Sequence, residues 1–210
     1  MENYKKNLEL LTKNYVYSKE MEHDACGVGL IASTEGKKSR AIIEYGIEAL
    51  KAVWHRGAVD ADGKTGDGAG IHVEIPKDFF IEKIQVTGHD YDNSEICVGM
   101  IFLPRNDYSA QENCKTIVES ELTKNNFSIY GWRQVPVNPK VLGEKALQTM
   151  PEIIQVLFKS NDPNLLDKNL ERKIYETRKR IENKAFDASL NNFYICSFSC
   201  SNIDLFIVLI

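Results

Sequence analysis

The chain has 210 residues, enough to bury a sizeable core, and its 43% hydrophobic and 27% charged residues strike the balance of an ordinary soluble globular domain. A formal net charge of −4, with the 26 basic residues scattered rather than clustered, gives no electrostatic reason to expect nucleic acid or an anionic membrane surface as partner. The five cysteines, Cys26, Cys97, Cys114, Cys196 and Cys200, form an odd set without CxxC spacing. Neither a zinc knuckle nor a disulfide framework is written there, and a reducing, cytoplasmic compartment is expected.

Residues 1–25 alternate charge and apolarity and hold no apolar core of signal-peptide length, which argues against secretion by that route. Residues 27–33 are a short apolar run suited to a buried strand, and 39–55 follow with Ile42, Ile43, Ile47, Leu50 and Trp54 at helical spacing. The next segment carries Gly57, Gly63, Gly66, Gly68 and Gly70, too much glycine for either regular element, and is expected to be a loop. Beyond it Ile71, Val73 and Ile75 alternate with His72 and Glu74, the period of a half-buried strand, and Pro76 ends the run. A short helix over 77–84, a buried strand over 96–103, a helix over 109–124 with Cys114, Ile117, Val118 and Leu122 inward, and a strand over 127–135 come next. A strand over 152–158, a long helix over 163–184 with Leu166, Leu170, Ile174 and Ile181 on one side, and a strand over 192–199 complete the pattern. Such alternation suits a doubly wound parallel sheet or antiparallel sheets covered by helices, and periodicity alone does not choose. No repeat, low-complexity stretch or linker is visible.

Two stretches carry the chemistry. One is Asp24-Ala25-Cys26-Gly27-Val28-Gly29-Leu30-Ile31-Ala32; the other is His55-Arg56-Gly57-Ala58, leading through Ala61-Asp62 to Thr65-Gly66-Asp67-Gly68-Ala69-Gly70-Ile71. With Ile75-Pro76, Phe79-Phe80, Gly131-Trp132-Arg133, Val135-Pro136, Leu170-Glu171-Arg172-Lys173 and Phe193-Tyr194-Ile195, they resemble the glutaminase domain of the glutamate synthase large subunit, a class II glutamine amidotransferase, from Cys26 to about Ser199.

The resemblance implies an α+β fold, the four-layer αββα sandwich of N-terminal-nucleophile hydrolases, incomplete at its C-terminus. Residues 1–25 are then a propeptide-like leader, 26–199 the N-terminal part of the amidotransferase domain, and 200–210 a divergent apolar tail. It implies that Cys26, as the new first residue, is the nucleophile: its thiol needs a base, and a free α-amino group of pKa about 7.7–8.0 can serve. The substrate is L-glutamine, hydrolysed to glutamate and ammonia through a cysteine thioester, with the ammonia passing to a synthase domain on a larger polypeptide or a separate chain. Arg56 is implied to support the nucleophile's terminus electrostatically, Gly57 beside it to belong to the pocket's support, and Asp67 to help wall the pocket, while Gly27 and Gly29 fit as small residues that let substrate and backbone approach the nucleophile closely. Flavin mononucleotide (FMN) and the iron–sulfur cluster belong by the same resemblance to the synthase portion, so no cofactor is assigned to this chain.

The family's oxyanion donors are an Asn-Gly pair downstream of the strand that Phe193-Tyr194-Ile195 resembles, and no Asn-Gly dipeptide occurs in these residues. The match fades after Ser199 into Leu205-Phe206-Ile207-Val208-Leu209-Ile210, a run too short to cross a bilayer, which needs about 20 residues. A truncated domain is therefore expected. An inactive remnant, or a binding or regulatory protein reusing the fold, are the alternative readings.

Two decoys are set aside. Residues 58–65 satisfy the relaxed spacing of a phosphate-binding loop, but they follow a predicted helix, Gly-Asp-Gly-Ala-Gly cannot open the next one, and Asp60 and Asp62 would repel the anion. The same aspartates faintly resemble a calcium loop, yet Ala58 and Ala69 stand where its first and last ligands belong. His23, His55, His72 and His89 assemble no ligand set, and no metal is expected.

Overall fold

The computed structural model of the protein describes residues 2–14, 27–53, 59–66 and 68–206. Its helices are α1 (Glu2–Asn14), α2 (Arg40–Ala52), α3 (Lys77–Val86), α4 (Tyr108–Lys124), α5 (Glu144–Thr149) and α6 (Asp167–Asp187). The strands are β1 (Gly70–Glu74), β2 (Cys97–Leu103), β3 (Phe127–Gln134), β4 (Glu152–Ser160), β5 (Tyr194–Ser199) and β6 (Asn202–Phe206). All pairings are antiparallel: a four-stranded sheet in the order β3-β4-β2-β5 and a two-stranded sheet of β1 and β6. The protein is thus α+β, and of the two topologies that periodicity allowed, the antiparallel one is realised.

Alternation along the central strands divides the interior in two. Cys97, Ile101 and Leu103 of β2 and Ile154, Val156 and Phe158 of β4 face α4 and α6, where Cys114, Val118, Leu122, Leu170, Ile174 and Ile181 meet them. Val98, Met100, Tyr130 and Leu157 face the other way, toward Ile75, Phe80, Ile84 and Ile203 on the side of β1, α3 and β6. The layers thus run helices, sheet, sheet, with α2 lying near β1 and burying none of its own residues.

Local chemistry sets several boundaries. Ser39 caps α2, its hydroxyl accepting the Ala41 amide at 3.2 Å, and Asp107 caps α4 by accepting the Ala110 amide at 2.9 Å. β3 bulges between Ile129 and Gly131. There Gly131 has φ 148°, and a Cβ would sit 2.8 Å from Cγ2 of Thr87, so only glycine fits.

The strand expected over 27–33 does not form: these residues have no regular structure, and Val28 and Leu30 are 95% and 89% exposed. An apolar run becomes a strand only when a neighbour takes its amides, and no described residue does so. Conversely, α1, α5 and β6 appear where sequence signalled no element; residues 202–206, read from sequence as part of an apolar tail, pair with β1 from Asn202↔Glu74 to Phe206↔Gly70.

One side chain holds β6 in place. Oε1 of Glu171, on α6, accepts from the Ser199 hydroxyl (2.6 Å), the Cys200 amide (2.9 Å), the Ser201 amide (2.9 Å) and the Ser201 hydroxyl (2.7 Å). The Ser201 carbonyl in turn accepts the Ile75 amide at 2.9 Å, so α6, the β5–β6 turn and the end of β1 are tied together. Burial alone would raise the Glu171 carboxyl, but hydrogen bonds from Ser199, Ser201 and Cys200 outweigh it and leave its pKa lowered. A carboxylate depressed in the folded state stabilises fully above its unfolded value, about 4.3, and that stability is lost as pH falls through the folded value. Glu171→Gln is therefore expected to lose roughly 2 kcal/mol at neutral pH, with the difference from wild type shrinking in acid. Urea titrations at the two pH values check this; a deficit that persists undiminished in acid would show that charge is not what the turn requires.

Candidate functional site

Of the residues singled out from sequence, Cys26, Arg56, Gly57 and Asp67 lie outside the described residues; Gly27 is described and exposed, with no heavy atom within 4 Å of where a Cβ would stand. What the structure describes are the elements that flank the second stretch. α2 ends at Ala52, the loop 59–66 follows, and β1 begins at Gly70. Lys38, just before α2, reaches Glu74 at the far end of β1 at 2.5 Å; both side chains are exposed, so the pair adds little stability.

The loop 59–66 is a folded unit. Val59 and Gly66 form an antiparallel bridge, so the chain enters and leaves from paired positions, and the Asp60 amide donates to the Thr65 carbonyl at 2.7 Å. Inside the loop, Oδ1 of Asp62 accepts the Lys64 and Thr65 amides at 2.9 and 2.7 Å, while Oδ2 accepts the Thr65 hydroxyl at 2.5 Å. The Asp62 carboxyl is held well below the usual range, first by the Thr65 hydroxyl and then by those amides. The amides that a phosphate would need are thus taken by the protein's own carboxylate.

A segment some 80 residues further along braces this loop from outside. Lys145, in the first turn of α5, donates to Oδ2 of Asp60 at 2.6 Å, and that hydrogen bond is the main cause lowering the Asp60 pKa. Gly143, immediately before α5, lies so close that a Cβ would stand 2.2 Å from Thr65 Oγ1, 2.4 Å from Asp62 Oδ2 and 2.5 Å from the Thr65 amide nitrogen. Because one of those atoms is backbone, the loop itself must move to admit a side chain. Gly143→Ala is expected to destabilise by about 1–3 kcal/mol and to speed hydrogen exchange at the Lys64 and Thr65 amides. Exchange rates equal to wild type would mean that the brace is idle. Neither Gly143 nor Lys145 carried a signal in the sequence, since nothing local links them to a loop so far upstream.

Two surface clefts lie elsewhere. One, of about 420 Å³, opens between the C-terminal ends of α4 and α6 among Glu121, Lys124, Arg180 and Lys184. The other, of about 510 Å³, lies beside β3 among His89, Tyr130, Lys159 and Asn161. Neither includes a residue of α2, the loop 59–66 or β1. Among the described residues no group of three or more His, Cys, Asp or Glu side chains is arranged to hold a metal ion, and no helix is long and apolar enough to cross a membrane.

Residues 26–205 match the family model of the class-II glutamine amidotransferases. The chain is 50% identical over 200 residues to the large chain of NADPH glutamate synthase from Azospirillum brasilense, covering 95% of this chain and 13% of that protein. It is 38% identical over 199 residues to the ferredoxin-dependent glutamate synthase of Pyropia yezoensis, covering 92% and 12% respectively. To ferredoxin-dependent glutamate synthase 2 of Synechocystis sp. it is 37% identical over 183 residues, covering 87% and 11%. The chain therefore spans only about an eighth of the length of these relatives, 13%, 12% and 11% in turn.

Proposed function

This chain belongs to the class-II glutamine amidotransferases, and from that membership we propose that it supplies the glutaminase half-reaction of a glutamate synthase, with Cys26 as nucleophile. The observation that carries the reading is the family match itself, which begins at residue 26 and continues through 205, together with 50% identity to a glutamate synthase large chain.

The chemistry follows from the residue types. With residues 1–25 removed, the α-amino group of Cys26, of pKa about 7.7–8.0, accepts the thiol proton at working pH. The thiolate attacks the side-chain amide carbon of L-glutamine; the carbon–nitrogen bond breaks and ammonia leaves with the transferred proton. Water then attacks the γ-glutamyl thioester, releasing glutamate and restoring the thiol. Gly27, exposed and with no heavy atom within 4 Å of where a Cβ would stand, supports close approach to the nucleophile from its C-terminal flank. Arg56 and Gly57, on the segment entering the loop 59–66, and Asp67, on the one leaving it, are assigned to the pocket; the Val59–Gly66 bridge supports their acting as a unit. No Asn-Gly dipeptide is present to hold the oxyanion, so those donors are assigned to polypeptide beyond these residues. L-glutamine and a synthase domain are the proposed partners, the flavin and iron–sulfur chemistry stays with that synthase domain, and the compartment is the cytoplasm.

Intact-mass measurement on the purified protein tests the maturation step, and labelling by an electrophilic glutamine analogue tests the nucleophile. Loss of residues 1–25 with one label on Cys26 is expected. A full-length mass with no label at Cys26 would instead favour a non-catalytic remnant of the same domain.

A further inference from the structure

We propose that Cys97 and Cys200 form a reversible disulfide under hydroperoxide, stapling the start of β2 to the β5–β6 turn. The β2–β5 ladder pairs Gly99 with Phe198 and ends with Val98 opposite Ser199, and continuing that register one step past the end of β5 brings Cys97 opposite Cys200. Both are buried, at 0% and 4% exposure, in the one cluster that faces α4 and α6, and so they point to the same side of the sheet. The Cys200 amide donates to Oε1 of Glu171 rather than across to β2, as the amides of a non-hydrogen-bonded pair point away from the partner strand. Opposed Cα atoms at such a position stand about 4.5 Å apart, within the roughly 4.4–6.8 Å that a disulfide spans. Cys200 is also among the neighbouring groups that, after burial, raise the Cys97 thiol's pKa.

The surroundings set the order of events. Cys200 Sγ lies 3.2 Å from Oε1 of Glu171, a carboxylate placed to receive the thiol proton as the sulfur attacks. Cys97 has no exposed surface, and burial pushes its thiol pKa well up, so it stays protonated and acts second. In the first step the Cys200 sulfur attacks one peroxide oxygen, the O–O bond breaks, and the thiol proton passes by way of Glu171 Oε1 to the departing hydroxide, which leaves as water; Cys200 becomes a sulfenic acid. In the second, the Cys97 sulfur attacks that sulfur, the S–O bond breaks, and hydroxide leaves as water with the Cys97 proton. Two thiols lose two electrons and two hydrogens, and one peroxide becomes two waters. Transient bridges of this kind are the sort that reducing compartments tolerate. Cys114 and Cys196 are not opposed to either sulfur in the ladder, and Cys196 packs on the other core.

The proposal does not use Cys26, so it stands or falls separately from the glutaminase reading. The test treats the folded full polypeptide, wild type and Cys26→Ala, with hydrogen peroxide, blocks remaining thiols with N-ethylmaleimide under denaturing conditions, and maps unreduced peptides by mass spectrometry. A linked Cys97–Cys200 peptide pair, two hydrogens lighter than its parts and released by dithiothreitol, is expected in both proteins. Alkylation of both Cys97 and Cys200, irreversible oxidation of Cys200 without a bridge, or a bridge from either to Cys114, Cys196 or Cys26 would overturn it.

Discussion

Cys26→Ala is expected to abolish glutamine hydrolysis, by about 10⁴–10⁶-fold, while leaving the fold untouched. No other group in the proposed scheme can take over, because the α-amino group of residue 26 only moves a proton and forms no covalent intermediate with glutamine. Within the glutamate synthase proposed to carry this domain, the variant should still form glutamate when ammonia is supplied directly, since ammonia enters after the missing step. Ammonia release from glutamine and ammonia-dependent turnover, measured side by side, separate loss of chemistry from loss of structure. Glutamine turnover within tenfold of wild type would remove Cys26 from the mechanism.

Phe158→Ala is expected to be the most damaging change in the described core. Phe158 is completely buried in β4, which pairs with β2 on one side and β3 on the other. Its ring stacks on Phe198 at 4.8 Å and meets Phe127 edge-on at 5.4 Å. Deleting such a ring costs about 3–5 kcal/mol, through lost transfer energy and an unfilled cavity, against a typical domain stability of about 5–15 kcal/mol. Exposed helix pairs such as Arg172–Glu176 and Arg40–Glu44 contribute about 0.3–0.5 kcal/mol each, so no set of them offsets the loss. The urea midpoint should fall sharply for Phe158→Ala and distinctly less for Phe158→Leu, which keeps most of the volume. Equal losses for the two would mean that ring stacking, not filled space, is what matters there.

The residues that made the family legible divide into two kinds. Cys26, Gly27, Arg56, Gly57 and Asp67 carry the proposed chemistry. The remaining shared motifs turn out to be framework: Ile75 is in the core, Phe79 and Phe80 meet edge-on at 5.1 Å, and Arg133 lies over Phe79 at 5.2 Å while donating to Gln155. Gly131 makes room for Thr87, and Glu171 anchors the β5–β6 turn. A motif read in a sequence says that a residue is needed in the family; it does not distinguish a ligand from a brace.

Helices α2, α4 and α6 and strand β1 were legible because apolar residues recur at the element's own period, which is local information, whereas β2 and β4 are continuous apolar runs that found a strand on each side to take their amides. The run 27–33 misled for the complementary reason: without periodicity, apolar content says only that a segment could be buried. β6 was missed because residues 202–206 make a strand only against β1, more than a hundred residues away.

By itself, then, the sequence determined the family, the nucleophile candidate and the existence of the periodic elements, since these rest on residue identity and short-range spacing. Only the tertiary structure decided that the strands run antiparallel in two sheets, that Gly143 and Lys145 brace the loop 59–66, that one Glu171 oxygen gathers the β5–β6 turn, and that Cys97 and Cys200 share one buried cluster. Each of those is a contact between residues distant along the chain, and such contacts are fixed by how buried faces and hydrogen-bonding groups are satisfied together, not by any stretch of sequence alone.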